Sequence, residues 1–311
     1  VKMRKVQKLK DLKDFNPTVG MPSVVGHGIQ RIVAPNPSLM TFRGTNTYLV
    51  GTRELVVIDP GPDNLDHLNA ILSACRKDQT ITKILVTHTH LDHSSLAIKL
   101  SEHTNAPILA FGGATAGRSA AMDNLVIAGL VGGEEGIDNE FIPDQVLTDG
   151  DIVQVTDLKL EVIHTPGHLG NHVCFATEKL CFTGDHVMGW ASSLISPPGG
   201  DLTDFMASCE RLLQRDWAQF YPGHGPIIKA PKNRVNWLIN HRKNRESAIL
   251  KVLDQKPSTL SKITQAVYDD IPSLMLPFAQ RNVLAHLIDL MGKSKVEVIG
   301  PLCSDTIYKR Q

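Results

Sequence analysis

The sequence predicts a mixed α/β protein in which two β-sheets pack face to face between outer helices, an αβ/βα four-layer sandwich, followed by a small C-terminal helical domain. Strand-like segments fill residues 18–62 and return over residues 144–185, with helix-like segments after each group. From Pro231 onward the pattern becomes helical. With 311 residues, 42% of them hydrophobic, the chain can bury one large core and a second small one.

The first strand group predicts a meander. Residues 29–34 alternate, and residues 46–50 and 55–59 are β-rich runs separated by a short turn. Residues 64–72 carry apolar side chains at helical spacing, and we expect His67 to lie on the exposed face of that helix.

A strand–helix–strand unit comes next. Residues 84–86 predict a buried strand, residues 94–103 a helix and residues 107–110 a second strand, which favours parallel pairing with the helix outside. Residues 112–140 predict a short helix followed by a mobile acidic loop, Gly132 to Gly136.

The second strand group begins after the turn at residues 149–151. Residues 152–155 and 158–163 are expected to flank a turn at Thr156 and Asp157. Residues 173–176 are expected to pair with residues 180–182.

The C-terminal part predicts three helices and a small β-element. The first helix starts near Pro231, and the others cover residues 259–268 and 277–291 before a strand at residues 296–299. We expect two domains, residues 1–241 and residues 242–311.

Composition limits the partners of this chain. Residues 17–241 are acidic, with 15 basic against 23 acidic side chains, although the whole chain is neutral. No segment approaches the roughly 18 consecutive apolar residues of a membrane span, and residues 1–14 lack the apolar stretch of a signal peptide. The five cysteines form no C-x-x-C pair. We therefore expect reduced thiols, a cytoplasmic location and no membrane partner.

The densest chemical motif follows the strand at residues 84–86. It contains His88, His90, Asp92 and His93 within six residues. Imidazole nitrogen and carboxylate oxygen are ligands that zinc favours and that iron or manganese accept. His88 and His90 can converge on one metal only if the chain turns, and Asp92 and His93 lie further round that turn. The spacing therefore suggests a second metal.

Three later segments repeat the order of strand, tight turn and ligand. Their ligands are His168 after Pro166 and Gly167, Asp185 after Gly184, and His224 after Gly223.

Together these four motifs resemble those of the metallo-β-lactamase superfamily in order and spacing. The resemblance implies that one metal is held by His88, His90 and His168, and the other by Asp92, His93 and His224, with Asp185 as the bridge. It also implies that Asp59, at a strand end, orients metal ligands from behind. Antibiotic-hydrolysing members with a Cys ligand carry it where this chain has Asp185, which argues against a β-lactam substrate.

The C-terminal pattern resembles the winged-helix domain of the beta-lactamase-like hydrolases in this superfamily. A winged helix often binds nucleic acid, yet residues 242–311 have an excess of only four positive charges. We expect a structural cap or a dimerising element, so a homodimer is a possible assembly.

Two metals, with zinc expected and iron or manganese as alternatives, would make a bridging hydroxide available near neutral pH. Asp92 is expected to steer the water and take a proton, and His172 is expected to donate to a developing oxyanion. The apolar loop after Asp185 offers Trp190 and Leu194 as substrate contacts, or they pack beneath it.

The substrate class stays open at this point. The acidic catalytic domain and the apolar loop favour a zinc-dependent hydrolase of a small carboxylic ester, thioester or lactone. The first alternative is a single-strand endoribonuclease, because the chain also resembles the beta-lactamase-like ribonucleases of animal mitochondria, which have the same domain order. The second alternative is a metal-bound regulatory or binding module, which would not need all seven ligand positions.

Overall fold

The structure of the protein is a computed structural model that describes residues 14–130, 132–133, 136–155, 158–269, 271–299 and 306–311. Its strands and helices follow one another along the chain as two β-then-α series and a terminal domain. The first series contains β1 (Ser23–Gly26), β2 (Ile29–Val33), β3 (Asn46–Gly51), β4 (Glu54–Ile58), α1 (Leu65–Ser73), β5 (Thr80–Leu85), α2 (Leu91–Ser94), α3 (Ala97–Thr104), β6 (Ile108–Ala110), α4 (Ala120–Ile127) and β7 (Gln145–Val146).

The second series and the terminal domain complete the chain. They contain β8 (Ile152–Val155), β9 (Leu158–His164), β10 (Val173–Ala176), β11 (Leu180–Gly184), α5 (Leu202–Leu213), β12 (Gln219–Pro222), α6 (Pro231–Gln255), β13 (Ser258–Thr259), α7 (Leu260–Val267), a 3₁₀ turn (Ser273–Met275), α8 (Leu276–Gly292), β14 (Val296–Ile299) and β15 (Ile307–Arg310). The predicted turn at Thr156 and Asp157, and the acidic residues Glu134 and Glu135, lie outside the described residues.

Two sheets form the middle of the sandwich. The first has the order β1-β2-β3-β4-β5-β6-β7, antiparallel up to β4 and parallel from β4 to β7. The second has the order β12-β11-β10-β9-β8, with β11 and β12 parallel and the other pairs antiparallel. The predicted parallel β5–β6 unit and the predicted β10–β11 hairpin are both confirmed.

Three apolar layers hold the sandwich together. Between the sheets, Tyr48 of the first sheet packs in one cluster with Phe175 and Phe182 of the second. Helices α1 and α3 cover the outer face of the first sheet, for example through Leu68. Helices α5 and α6 cover the outer face of the second sheet, for example through Phe205. The αβ/βα order of the four layers is therefore confirmed.

The terminal domain has a core of its own, and α6 connects it to the sandwich. Val235 and Leu238 in the first half of α6 pack on the second sheet, whereas Ile249 and Leu253 in its second half belong to the terminal core. The expected domain boundary, between residues 241 and 242, falls inside this continuous helix. Strands β13, β15 and β14 form a small sheet beside α7 and α8.

One helix is oriented differently from the prediction. His67 of α1 is buried rather than exposed, and its Nε2 lies 2.8 Å from the Thr47 hydroxyl oxygen. Burial lowers the pKa of His67 to about 4, so the ring is neutral at pH 7. Leu65 of the same helix is exposed instead.

Within the described ranges, no helix combines the length and the apolar character that a membrane crossing requires.

Candidate metal centre

Four strands of the two sheets end at one edge of the sandwich, and a polar motif follows each of them. Residues 88–93 follow β5, His168 follows β9, Asp185 follows β11 and His224 follows β12. An isolated β-bridge between Thr45 and His224 joins the sheets at this edge. The seven ligand positions predicted from the sequence therefore come together at one place.

His88, His90 and His168 form the first group of converging nitrogens. His90 Nδ1 lies 2.9 Å from His88 Nε2 and 3.0 Å from His168 Nε2. A cation with nitrogen bonds of about 2.0–2.1 Å can reach all three atoms. This group has the composition expected for one metal site.

Asp92, His93 and His224 form the second group. His224 Nε2 lies 3.2 Å from both His93 Nε2 and Asp92 Oδ2, and His93 Nε2 lies 3.4 Å from the same oxygen. These three atoms could likewise hold one ion.

Asp185 lies between the two groups. Its Oδ2 is 3.8 Å from His168 Nε2 in the first group and 3.3 Å from His224 Nε2 in the second, and its Oδ1 is 3.6 Å from His93 Nε2. Oδ1 is buried without a hydrogen-bond donor among the described residues. A carboxylate in this position can bridge two cations and offset their repulsion.

The hydrogen bonds behind the rings determine which ring nitrogens face the cluster as acceptors. Thr87 Oγ1 donates to Asp59 Oδ2 at 2.9 Å, so it must accept from His88 Nδ1, which lies 2.9 Å away. His93 Nδ1 donates to the same Asp59 oxygen at 2.9 Å. In the neutral form, both rings therefore direct the lone pair of Nε2 toward the other ligands.

The same holds for two further rings. His168 Nδ1 donates to the Leu194 carbonyl oxygen at 2.7 Å, and His224 Nδ1 donates to the Gly44 carbonyl oxygen at 3.3 Å. In their neutral forms, these four anchored imidazoles direct lone pairs into the cluster, where the carboxylates of Asp92 and Asp185 add further acceptors. Divalent cations fit this set of acceptors, and anchoring of the outer ring nitrogen is typical of metal-binding histidines.

The two groups differ in the pKa values of their histidines. Burial, followed by the neighbouring imidazoles, holds the pKa of His88 well below its usual value, and burial lowers that of His90 to about 3. Burial also opposes the charge on His93, but the carboxylates Asp92, Asp59 and Asp185 outweigh it and raise the pKa of His93 to about 9. Without a cation the second group therefore takes up a proton, so cations and protons compete there.

Asp59, for which the resemblance implies an orienting role, lies behind the rings of His88 and His93. Its side chain is buried and accepts from the Thr87 backbone N–H at 2.8 Å, from the Thr87 hydroxyl and from His93 Nδ1. It also has a left-handed backbone, with φ of 53°. One carboxylate thus orients one ring of each metal group.

Replacing Asp59 with Asn should weaken metal binding by about 10–100-fold, the usual effect of losing such a partner. The amide keeps the shape but has only one acceptor oxygen for three donors. A competition titration with a chromophoric chelator measures this. Asp63→Asn, at an exposed carboxylate paired with Lys99, is the matched control. Equal affinities of both variants and the wild type would contradict the role assigned to Asp59.

Two threonines and a glycine also shape the centre, and the sequence reasoning missed them. Thr45 Oγ1 donates to Asp92 Oδ2 at 2.9 Å, across 47 positions of chain, so no local signal could reveal it. Thr87 stands beside His88 and could have been noticed. Gly184 has φ of 44°, and a Cβ there would lie 2.7 Å from Thr87 Oγ1, which explains the glycine before Asp185.

The structure places His172, for which the sequence predicts a catalytic role, away from the cavity side of the cluster. The ring is fully buried behind His88, with 5.1 Å between the ring centroids. Its Nε2 accepts from the Asp185 backbone N–H at 3.2 Å, and its Nδ1 donates to the Thr165 hydroxyl at 2.9 Å. Because both ring nitrogens have partners within the protein, we expect His172 to position the Asp185 backbone.

The loop after Asp185 is held by two buried arginines of α6. Arg234 donates through Nε to the Met188 carbonyl oxygen at 2.5 Å and through Nη2 to that of Ala191. Arg242 donates through Nη2 to the Ser193 carbonyl oxygen. The Ser193 hydroxyl in turn donates to the Asp185 carbonyl oxygen at 2.5 Å.

A cavity of about 480 Å³ opens onto the side chains of both groups. His90, Asp92, His168, Asp185 and His224 form its floor. Trp190 and Leu194, the predicted substrate contacts, both line it, and Trp190 stacks on Phe42 at 5.2 Å between ring centroids. The volume falls within the range of ordinary small-molecule sites.

The terminal domain supplies the opposite wall of this cavity. The lining side chains from this domain are mainly apolar: Tyr268, Ile271, Pro272, Met275, Phe278, Ala279 and Asn282. Asn282 also accepts from Arg242 Nη1 at 2.8 Å. The terminal domain is therefore part of the site and not only a cap on the sandwich.

Comparisons with known proteins agree with this architecture. The profile of the metallo-beta-lactamase superfamily matches residues 40–224, and that of the beta-lactamase associated winged helix domain matches residues 259–301. The chain is similar to a beta-lactamase-like protein 2 homolog of Drosophila melanogaster, with 32% identity over 86% of this chain and 89% of that relative.

Two further similarities concern a named activity and a solved structure. The chain is 29% identical to an atrochrysone carboxyl ACP thioesterase of Aspergillus fumigatus, over 87% of this chain and 82% of that relative. It superposes on a beta-lactamase domain protein from Burkholderia ambifaria with a TM-score of 0.79 and 21% identity, over 96% of each chain.

Proposed function

Because this chain belongs to the metallo-β-lactamase superfamily, we propose that it is a dinuclear-metal hydrolase whose preferred substrates are acyl thioesters, with carboxylic esters and lactones as related substrates. The observation that carries the proposal is the apolar cavity over the seven ligand side chains. The thioesterase names among the fungal relatives support the same reaction class.

We propose the same metal ligands that the sequence predicts. His88, His90 and His168 would hold one ion, Asp92, His93 and His224 the other, and Asp185 both. Zinc is the first choice for this mixture of nitrogen and oxygen donors, with iron or manganese as alternatives. When bound, the two ions would supply an activated water near neutral pH and polarise the attacked carbonyl group.

The protein's own residues orient the substrate and handle the proton. Asp92 lines the cavity and is held by the Thr45 hydroxyl, so its carboxylate is placed to accept a proton and pass it to the leaving thiolate. The surrounding apolar walls exclude water, which strengthens electrostatic interactions with the reacting carbonyl group. Trp190 and Leu194 provide part of these walls.

The alternative of a single-strand endoribonuclease has less support. Of the terminal basic residues that an RNA strand would need, Lys293 is paired with Asp289 at 2.6 Å and Lys295 with Glu246 at 3.0 Å. Arg281 lines a second cavity beside the metal ligands. These three residues therefore do not form one exposed basic track for phosphates.

The other predictions remain proposals. A purely regulatory module would not need seven gathered ligand positions. The division into residues 1–241 and residues 242–311, and a homodimer through the terminal domain, are kept as first expectations. A cytoplasmic location accords with the free thiols of Cys75, Cys174, Cys181 and Cys209.

A parallel activity screen tests the proposed reaction. Zinc-loaded and manganese-loaded protein is assayed on acyl thioesters, lactones, bis-p-nitrophenyl phosphate and unstructured RNA. We expect the highest kcat/KM on a thioester. Three results together would favour the ribonuclease alternative over this proposal. RNA would be cleaved faster than the thioester, the affinity for RNA would fall with salt at a slope of about −0.7 per phosphate contact, and that affinity would be lost in Arg281→Gln.

Replacing Trp190 with Ala should raise KM for long-chain acyl thioesters more than for acetyl thioesters. The expected difference is up to about 0.8 kcal/mol for each methylene group that loses its contact. Steady-state kinetics on acetyl, butyryl and octanoyl thioesters with the same thiol give the comparison. Ile127→Ala, an exposed position on α4, is the control. Equal KM changes for all three chains would mean that Trp190 only supports the loop.

A further inference from the structure

Residues 193–195, in the loop between β11 and α5, lie between a candidate metal ligand and the terminal domain. The Leu194 carbonyl oxygen accepts from His168 Nδ1 at 2.7 Å. The next backbone N–H, that of Ile195, donates to Asn282 Oδ1 of α8 at 3.3 Å. The loop therefore contacts a ring of the first ligand group on one side and the terminal domain on the other.

The Asn282 side chain has one orientation that satisfies its neighbours. Arg242 Nη1 donates to Oδ1 at 2.8 Å, so this oxygen accepts from a guanidinium and from the Ile195 N–H. On its other side, Nδ2 donates to the Phe278 carbonyl oxygen at 3.2 Å. Turning the amide by 180° would place donors against donors and an oxygen against an oxygen. Asn282 therefore acts as the acceptor that joins the loop to α6.

Arg242 binds the same stretch of loop from α6. Its side chain is buried, and its Nη2 donates to the Ser193 carbonyl oxygen. The face of the Phe205 ring lies 5.3 Å from the guanidinium carbon. Burying a guanidinium is costly unless its donors are used, so the hydrogen bonds to Ser193 and Asn282 fix Arg242 as well as the loop. Asn282, Arg242 and residues 193–195 are here called the tether.

His168 differs from the other anchored rings in the origin of its partner. The outer nitrogens of the other three rings are bound by groups in or next to the first sheet: Thr87 for His88, Asp59 for His93 and Gly44 for His224. The partner of His168 belongs to the tether instead. Through this one ring, hydrogen bonds connect the terminal domain to the first ligand group.

The tether determines where His168 points. Its hydrogen bond to the Leu194 carbonyl oxygen fixes the rotation of the ring and leaves Nε2 as the acceptor, 3.0 Å from His90 Nδ1. When this carbonyl group shifts, the ring follows it and Nε2 leaves that position. The Ser193 hydroxyl, which donates to the Asp185 carbonyl oxygen at 2.5 Å, holds only the beginning of the stretch.

We propose that Asn282 and Arg242 are positioning residues for the candidate metal ligand His168, so that the terminal domain sets the affinity of the first metal site. This inference rests on the metal ligands of the proposed function. It adds a role for the terminal domain that needs no substrate, so it can be tested by metal binding alone.

Asn282→Leu tests the tether, because leucine has a similar volume but accepts no hydrogen bond. We expect the affinity for one of two zinc ions to fall about tenfold, the lower end of the usual effect of losing the partner of a metal-bound ring. A competition titration with a chromophoric chelator, without substrate, measures this. Asn236→Leu, at an exposed asparagine of α6, is the matched control and should bind both ions as the wild type does.

The conservative change Asn282→Asp should restore the affinity. Aspartate keeps an acceptor oxygen for the Ile195 N–H and gives the buried Arg242 a charged partner. With Co²⁺ in place of zinc, the visible absorption of the bound ion reports its ligand geometry. The spectrum should change in Asn282→Leu and return in Asn282→Asp. Equal losses of affinity in both variants would contradict the tether.

A double-mutant cycle shows whether the effect passes through His168. In a His168→Ala background the tether has no ring to position, so Asn282→Leu should lower the affinity for metal no further. In a His224→Ala background, which removes a ligand of the second group, the full loss from Asn282→Leu should remain. Equal losses in the two backgrounds would mean that Asn282 only supports the fold, and would overturn the proposal.

The failure of this proposal is distinguishable from the failure of the proposed function. Far-UV circular dichroism of the metal-free variants checks folding, and Asn282→Ala carries the same prediction if the leucine variant does not fold. The expected pattern of metal affinities without any thioester hydrolysis would support the tether and reject the proposed reaction. Thioester hydrolysis with wild-type metal affinities in both Asn282 variants would reject the tether and spare the proposed reaction.

Discussion

Replacing Asp185 with Asn should lower kcat/KM by more than about a thousandfold while the fold survives, because Asp185 touches both ligand groups. Loss of a group that only orients a ligand usually costs about 10–100-fold, and a shared ligand should cost more. The substitution keeps the shape of the side chain but removes the charge that would offset two close cations. Metal analysis should show less than two ions per chain, with both sites weakened together.

The fold should survive this change at a cost in stability. Burial acts against the charge on Asp185, and His224 and His93 nevertheless hold the pKa of its carboxyl well below the usual value. The charge on Asp185 therefore contributes to the stability of the metal-free protein at neutral pH, and the Asn variant should keep the fold but unfold at a lower temperature than the wild type. Far-UV circular dichroism and thermal unfolding without metal measure this.

A matched control distinguishes a metal effect from general damage. Asp204→Asn changes a half-buried carboxyl in the first turn of α5, away from the ligands. It should keep two metals and wild-type activity. Two tightly bound ions with full activity in Asp185→Asn would show that Asp185 does not bridge the metals.

The sequence alone predicts those features whose determinants are close together in the chain. Alternation over residues 46–50 and 55–59 predicts the meander, because the side-chain period of a strand is a local property. The ligand positions could be selected for the same reason, since each stands directly after a strand and a tight turn. The four-layer order also follows from the order of the elements along the chain.

Features that depend on distant contacts could not be predicted in this way. His67 is buried because Thr47, 20 positions earlier, provides a partner at the end of the first sheet. The burial of His172 behind His88 could not be foreseen either, because its distance in sequence from His168 does not reveal which side of the cluster it occupies. The hydrogen bonds from Arg234 and Arg242 to the loop after Asp185 join residues 43 and 49 positions apart, and no local pattern indicates them.

The largest omission concerns the terminal domain, whose predicted role was a structural cap. Phe278 lines the cavity, and Asn282 accepts from the Ile195 backbone N–H at 3.3 Å, across 87 positions. Helix α6 carries the two arginines that bind the loop after Asp185, and its second half belongs to the terminal core. A shift of the terminal domain would therefore move this loop. One helix therefore joins the terminal domain to the loop that follows Asp185.

Replacing Gly223, which follows β12, with Ala should also disrupt the arrangement of the candidate ligands. A Cβ at this position would lie 2.5 Å from Asp185 Oδ1 and 2.7 Å from His93 Cε1. The backbone cannot easily retreat, because the Gly223 N–H donates to the Gly184 carbonyl oxygen at 2.8 Å and its own carbonyl oxygen accepts from the Asn46 N–H at 2.7 Å. The Asp185 carboxylate must therefore move.

Two measurable losses should follow from Gly223→Ala. The free energy of unfolding of the metal-free protein should drop by about 1–3 kcal/mol, the usual cost of overpacking a filled site. The rise in Tm that added zinc produces in the wild type should be largely lost, because that rise reflects binding to the folded state alone. Hydrolysis should fall roughly as far as in Asp185→Asn, since the same carboxylate is displaced.

Gly292→Ala provides the matched control, because a Cβ at this helix end would meet no atom within 4 Å. It should be neutral or stabilise the protein by up to about 1 kcal/mol, the difference between Ala and Gly in a helix. Gly223 has no left-handed φ, so the two substitutions differ in what the new methyl group contacts and not in backbone strain. The Gly223→Ala protein could instead keep both the zinc-dependent rise in Tm and the turnover of the wild type. Asp185 would then bind metals from a shifted position, and the close approach at Gly223 would have no part in the metal centre.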